Sequence, residues 1–178
     1  MKKVLVVVDM QNDFIDGALG TKEAQEIVGR VAEKIRSYPE DCVYATRDTH
    51  EEDYLETNEG KNLPVPHCIR ESEGWQIRKE IQEAMPHAVI VDKPSFASLE
   101  LADLLCRENE REELEIELVG LCTDICVVSN ALLLKARLPE TKISVDPSCC
   151  AGVTPESHEA ALLTMKMCQI AQTEENRI

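Results

Sequence analysis

Lys2-Lys3-Val4-Leu5-Val6-Val7-Val8-Asp9 is the stretch on which the fold turns. Five consecutive aliphatic residues closed by a carboxylate suit a strand buried on both faces, because a strand with one wet face would alternate apolar and polar residues. The run is too short for the apolar segment of an export signal, and Asp9 cuts it off, so it reads as a core strand. Related runs rich in β-branched residues recur at 42–46, 88–91, 115–119 and 142–145, with a short sixth at 169–171. Segments of helical period lie between them, at 22–36, 75–84, 98–109, 123–137 and 155–167. Ile27, Val31 and Ile35 share one helical face, as do Leu101, Leu104 and Leu105. Thr154-Pro155 starts the last helix with proline at its first position. This alternation predicts an α/β fold, a doubly wound parallel sheet of six strands between two layers of helices. The length, 178 residues, suits one domain spanning 1–178.

Lys and Arg number 19 against 34 Asp and Glu, a formal charge of -15. Such a surface repels nucleic-acid phosphates and anionic membranes and favours a small neutral or cationic ligand. No uncharged run is long enough to cross a bilayer. Eight cysteines are scattered along a chain with a full aliphatic core and no export signal. They read as free thiols in a reducing, cytoplasmic setting rather than as a disulfide scaffold. The close pairs Cys122/Cys126 and Cys149/Cys150 lack the second pair that a zinc finger needs.

In an open parallel sheet, ligands bind where loops leave the carboxyl ends of the strands. The first strand ends at Asp9, the second runs into Asp48 and His50, the third into Asp92-Lys93, and the fourth into Gly120-Leu121-Cys122-Thr123-Asp124-Ile125-Cys126. One rim thus receives an acid, a candidate metal pair, an amine and a thiol. Cys126 stands where strand turns to helix, a place where a helix N-terminus lowers a thiol pKa and backbone N–H groups can hold an oxyanion. A buried structural thiol is the competing reading. Asp9 and Lys93, taken alone, fit a buried ion pair as well as they fit a proton shuttle and its electrostatic partner. His87 precedes the third strand and His158 lies on the last helix, so neither is placed to act as the base. Between 48 and 74 runs an aperiodic loop, long enough to expect a functional role, that holds His50 and His67.

Three ordered segments, Asp9-Met10-Gln11-Asn12-Asp13-Phe14, Lys93-Pro94-Ser95-Phe96 and Gly120 to Cys126-Val127, resemble the signatures of the isochorismatase-like cysteine hydrolases. Asp146-Pro147-Ser148 to His158 extends the resemblance over essentially the whole chain. It implies that family's hydrolase fold, a triad of Asp9, Lys93 and Cys126, a cis Leu121–Cys122 peptide bond, and an oxyanion hole formed by the N–H groups of Cys122 and Cys126. Cys122 replaces the alanine more often met there. Within the family the long loop is similar to that of nicotinamidases. The implied metal ligands are Asp48, His50 and His67, with Glu59 as a fourth. The implied cofactor is a divalent ion, zinc before manganese or iron. Phe14, Phe96 and Leu121 are the expected substrate-binding residues, and Trp75 is expected to be structural. Leu63-Pro64-Val65-Pro66 lacks the aromatic that nicotinamidases often carry before the histidine. The implied activity is hydrolysis of nicotinamide to nicotinate and ammonia through a thioester, within NAD salvage, by a chain that self-associates. Two alternatives stay open: another small carboxamide or a ureido substrate, and a non-catalytic, metal-stabilised binding module.

Overall fold

The computed structural model describes residues 1–173. Six strands form one sheet: β1 (Lys2–Val8), β2 (Val43–Asp48), β3 (Val89–Lys93), β4 (Leu114–Leu121), β5 (Lys142–Ala151) and β6 (Ala171–Gln172). Their order is β3-β2-β1-β4-β5-β6 and every pairing is parallel, with Val6 opposite Tyr44 on one side and Leu118 on the other. β1 is flanked by β2 and β4, so successive crossovers leave it in opposite directions. This reversal opens the crevice expected of such sheets.

The aliphatic run of β1 serves both faces. Val4, Val6 and Val8 join a core with Leu101 and Leu105 of α5 (Leu99–Arg111), Ala131 and Leu134 of α6 (Val128–Arg137), and Leu162 and Met165 of α7 (Pro155–Met167). Leu5 and Val7 join Ile27, Val31 and Ile35 of α2 (Lys22–Arg36) and Ile81 of α4 (Lys79–Ala84) on the other. Two short helices, α1 (Asn12–Ile15) and α3 (Asn58–Asn62), complete the set. Side-chain caps start the longer helices: Thr21 for α2, Ser98 for α5, and a Thr154/Ser157 capping box for α7 with Pro155 in its first turn.

Several boundaries depart from the sequence reading. The helix expected from 75 begins only at Lys79, because the preceding backbone is already paired with the segment after β1. Arg78 N–H donates to Met10 C=O at 2.8 Å, Asn12 N–H to Gln76 C=O at 3.0 Å, and Gln11 and Ile77 bridge antiparallel. β5 runs on through Pro147 to Ala151, with the register slipping between the Leu118–Val145 and Gly120–Cys150 pairs. A proline inside a strand is tolerated at such an irregularity. The helix expected over 123–137 is divided: Thr123–Val127 is one π-helical turn, and α6 follows. The last strand sits slightly later than expected.

Gly120 shows why these strands approach so closely. Its φ is 117°, and a Cβ there would clash with the Val8 carbonyl oxygen. All eight cysteines are free thiols. No described helix is long and apolar enough to cross a membrane.

Candidate active site and metal cluster

Four adjacent strands deliver the chemistry to one rim. Asp9 follows β1, Asp48 and Lys93 close β2 and β3, and Cys126 lies in the π turn after β4. Asp9 is fully buried with φ 47°, a left-handed conformation that points to local strain at this strand end. Thr46 Oγ1 donates to Asp9 Oδ1 at 2.7 Å. Lys93 Nζ stands 2.7 Å from Asp9 Oδ2, 3.4 Å from Cys126 Sγ and 3.2 Å from Asp48 Oδ1, and donates to Ser95 C=O at 3.0 Å. The structure thus brings Asp9, Lys93 and Cys126 together around one ammonium group.

Neighbours set the charge balance. Burial opposes the charge on Lys93, but Asp9, Cys126 and Asp48 outweigh it and push the ammonium pKa above the ordinary lysine range. Burial pushes the Asp9 carboxyl up, with Lys93 opposing. The thiol departs from expectation. Burial, aided by the Asp9 charge, drives the Cys126 pKa well above the usual thiol value, against Lys93. Desolvation thus works against the helix-terminus effect argued from sequence.

Asn130 anchors the turn that carries the sulfur. Its amide donates to Cys126 C=O at 2.8 Å and Phe96 C=O at 3.1 Å, while its oxygen accepts from Ser98 N–H at 3.0 Å. The Leu121–Cys122 bond is cis. Leu121 is wholly buried and offers its side chain to the core. Burial pushes the Cys122 thiol up to about 12. Phe14 is buried with its ring 5.5 Å from that of His67, whereas Phe96 is 46% exposed on the loop after β3. Trp75 is structural: its indole donates to Thr49 Oγ1 at 2.8 Å, and Arg47 stacks on it at 3.5 Å. His158 contacts Thr123 at 2.8 Å, and His87 faces Glu40 at the surface, away from the rim.

Beside the ammonium lies a second cluster. Donor atoms of Asp48, His50, Glu59 and His67 all fall within 4.8 Å of one another. His50 Nε2 is 2.9 Å and His67 Nε2 3.5 Å from Asp48 Oδ2; both face Glu59 Oε1, at 3.6 and 3.8 Å. Donors tetrahedrally disposed about 2.1 Å from a zinc ion would stand about 3.4 Å apart. Two imidazoles and two carboxylates at these separations fit a divalent transition metal. His67 Nδ1 meets Val65 C=O at 2.8 Å; a proton on Nδ1 satisfies that carbonyl and leaves the Nε2 lone pair for the cluster. Burial resists charge on Asp48, but His50, His67 and Lys93 outweigh it and hold the carboxyl far below its ordinary range.

Two side chains that the sequence reading left without a role shape this cluster. Gln11, fully buried, accepts from Asp48 N–H at 2.7 Å and donates to Asp48 C=O at 2.8 Å and Trp75 C=O at 2.9 Å. Tyr54 packs against both imidazoles. Gln11 stands inside the first quoted segment, two residues after Asp9, and that position was its only signal.

A family model described as "Isochorismatase domain" matches residues 3–175. The isochorismatase family protein PncA of Bacillus subtilis (strain 168) is 30% identical over 175 residues, covering 91% of this chain and 93% of its own. The nicotinamidase/pyrazinamidase of Mycobacterium tuberculosis is 26% identical over 184 residues, covering 94% and 96%. Among solved structures, the pyrazinamidase of Pyrococcus horikoshii in complex with zinc superposes with a TM-score of 0.79 at 27% identity, covering 98% of this chain and 99% of its own.

Proposed function

The chain belongs to the isochorismatase family, and on that premise we propose that it is a cysteine amidohydrolase of the nicotinamidase type, converting nicotinamide and water to nicotinate and ammonia. The observation that carries the proposal is the convergence of Asp9, Cys126 and Asp48 on the Lys93 ammonium, at 2.7, 3.4 and 3.2 Å. The M. tuberculosis nicotinamidase/pyrazinamidase and the zinc-bound P. horikoshii pyrazinamidase support it.

Burial raises both the Cys126 thiol and the Asp9 carboxyl, which makes Asp9 a better proton acceptor than an ordinary carboxylate, and Lys93 balances the negative charge. Asp9 takes the thiol proton and the sulfur attacks the carboxamide carbon, forming a C–S bond as the C=O π pair moves onto oxygen. The N–H groups of Cys122 and Cys126 receive that oxyanion. Its collapse breaks the C–N bond, and Asp9 returns the proton to the departing amine, which leaves as ammonia. Asp9 then draws a proton from water as the resulting hydroxide attacks the thioester carbonyl; collapse breaks the C–S bond, Asp9 returns its proton to the departing sulfur, and the acid leaves as carboxylate and a proton. A divalent ion held by Asp48, His50, Glu59 and His67, zinc before manganese or iron, would supply a Lewis-acid anchor for the ring nitrogen. Phe14 and Phe96 would flank the ring.

The test is ammonia release from nicotinamide by the zinc-loaded protein, abolished in Cys126→Ala with an unchanged circular dichroism spectrum. No turnover by the loaded wild type would remove this substrate. A second reading, another small carboxamide, draws support from Leu63 to Pro66, where no aromatic precedes His67. A panel of amides with and without a pyridine nitrogen separates the two.

A further inference from the structure

Tyr54 has no role in the reaction above, yet it touches the proposed metal cluster from more sides than any ligand requires. It is 1% exposed. Its ring centroid lies 4.7 Å from that of His50, inclined 57°, and 5.0 Å from that of His67, inclined 77°. The two imidazoles stand 4.8 Å apart at 73°, so three rings form a mutually tilted triangle. Tilted and edge-to-face contacts fix ring orientation, because each positive edge seeks a neighbour's negative face. An imidazole wedged this way does not turn its Nε2 out of the cluster without displacing Tyr54.

The same residue controls the loop that bears Glu59. Thr57 Oγ1 and Thr57 N–H both donate to Tyr54 C=O, at 2.6 and 3.0 Å. Thr57 in turn caps α3, accepting from Gly60 N–H at 3.0 Å, one residue after Glu59. Gly60 packs so tightly on the Tyr54 carbonyl that a Cβ there would overlap it. At the far end of α3, Tyr54 Oη donates to Leu63 C=O at 2.9 Å. Leu63 C=O also accepts from Val65 N–H at 2.8 Å, and Val65 C=O is the group that holds His67 Nδ1. One residue is therefore linked to three of the four donors: its side chain reaches His50 and His67 by ring contact and His67 again through Leu63 and Val65, while its backbone carbonyl reaches Glu59 through the helix cap.

We infer that Tyr54 is the positioning residue of the metal cluster, acting on the ligands and not on the substrate. The inference rests on the reading of Asp48, His50, Glu59 and His67 as ligands, and its test separates the two. Zinc affinity of the full chain is measured by competition with a chromophoric chelator, alongside urea unfolding in EDTA and the visible absorption of the cobalt-loaded protein. Tyr54→Leu removes the ring contacts and the Leu63 tether, keeps the backbone bond to Thr57, and should weaken zinc binding roughly 10–100-fold, the range for losing a partner behind the ligands. Tyr54→Phe keeps the wedge and loses the Leu63 tether, a change of about fivefold for one neutral hydrogen bond. Leu105→Ala, in the core on the other face of the sheet, is the control. It should lower the urea midpoint while leaving zinc affinity and the cobalt spectrum unchanged, which a purely structural role for Tyr54 would also predict for Tyr54→Leu.

A folded Tyr54→Leu protein that binds zinc within twofold of wild type overturns the inference. Should that variant fail to fold, unchanged affinity in Tyr54→Phe overturns it instead. A wild type that binds no zinc takes down the ligand reading, and this inference with it.

Discussion

Asp48 and Lys93 meet at 3.2 Å through Oδ1, while Oδ2 of the same carboxylate stands 2.9 Å from His50 and 3.5 Å from His67. One side chain thus belongs to the ligand cluster and to the group around Cys126. Asp48→Asn should disturb both: zinc content falls, and the rate of Cys126 alkylation by iodoacetamide shifts. His67→Ala should lower zinc content while leaving that rate within about twofold, since only a group touching Lys93 reaches the sulfur. Equal effects of both variants on alkylation would show that Asp48 is not what joins the two groups.

Lys93 is 1% exposed and lies between two carboxylates. Replacing it with methionine keeps the volume and leaves Asp9 and Asp48 facing each other without a counter-charge. The cost expected for breaking such a buried set is about 3–5 kcal/mol, read as a lowered urea midpoint. On the proposed assignment, ammonia release is lost as well, and Lys93→Arg does not restore it because the guanidinium is larger and planar.

Thr46→Val removes the hydroxyl that donates to Asp9 Oδ1 at 2.7 Å. Burial, the largest influence, already raises the Asp9 pKa, and the Thr46 bond works against it. Without that bond the carboxyl rises further, so the acid limb of the kcat/KM profile moves to higher pH. The stability cost is about 1–3 kcal/mol for an unsatisfied buried acceptor. An acid limb that stays in place would show that Asp9 is not the titrating base.

At the other end of the sheet, Lys34 Nζ lies 2.6 Å from Asp146 Oδ2 and 3.3 Å from Glu117. Burial works against both charges; Lys34 and Ser148 nevertheless hold the Asp146 carboxyl below its ordinary range, and Asp146 and Glu117 raise Lys34. A depressed carboxyl contributes stability above its unfolded pKa of about 3.9 and loses it as pH falls through the depressed value. The elevated lysine contributes below about 10.4 and loses it as pH rises through its folded value. Urea unfolding of wild type and Asp146→Asn should therefore differ most between these limits, the gap narrowing below about pH 3.9. A constant gap across acid pH would remove the linkage.

Local chemistry was legible in the chain. Val4 to Val8 announced a doubly buried strand, and Thr154-Pro155 began a helix where the structure begins it. The rim was legible too, because strand ends in a parallel sheet converge by topology, and the loop from Asp48 to His67 displayed its donors. The groups that hold this rim in shape were not. Gln11 meets Asp48 across 37 positions and Thr46 meets Asp9 across the same interval. No periodicity encodes such pairings. Tyr54 looked like any loop aromatic until the rings around it were placed. How deeply packing buries the Cys126 sulfur, which raises its pKa, is not legible from its place beside a helix. Residues 75–78 looked helical and were claimed instead by Met10 to Asn12.

β3 lies at the outer margin of the sheet and is bonded to β2 alone, and Lys93 is its last residue. Lys93, which touches Asp9, Cys126 and Asp48, is thus borne by a ribbon whose outer side has no neighbouring strand among the described residues. Amide hydrogen exchange at Val91 to Lys93 should consequently serve as a gauge of competence: fraying there would silence the chemistry while the interior stays intact.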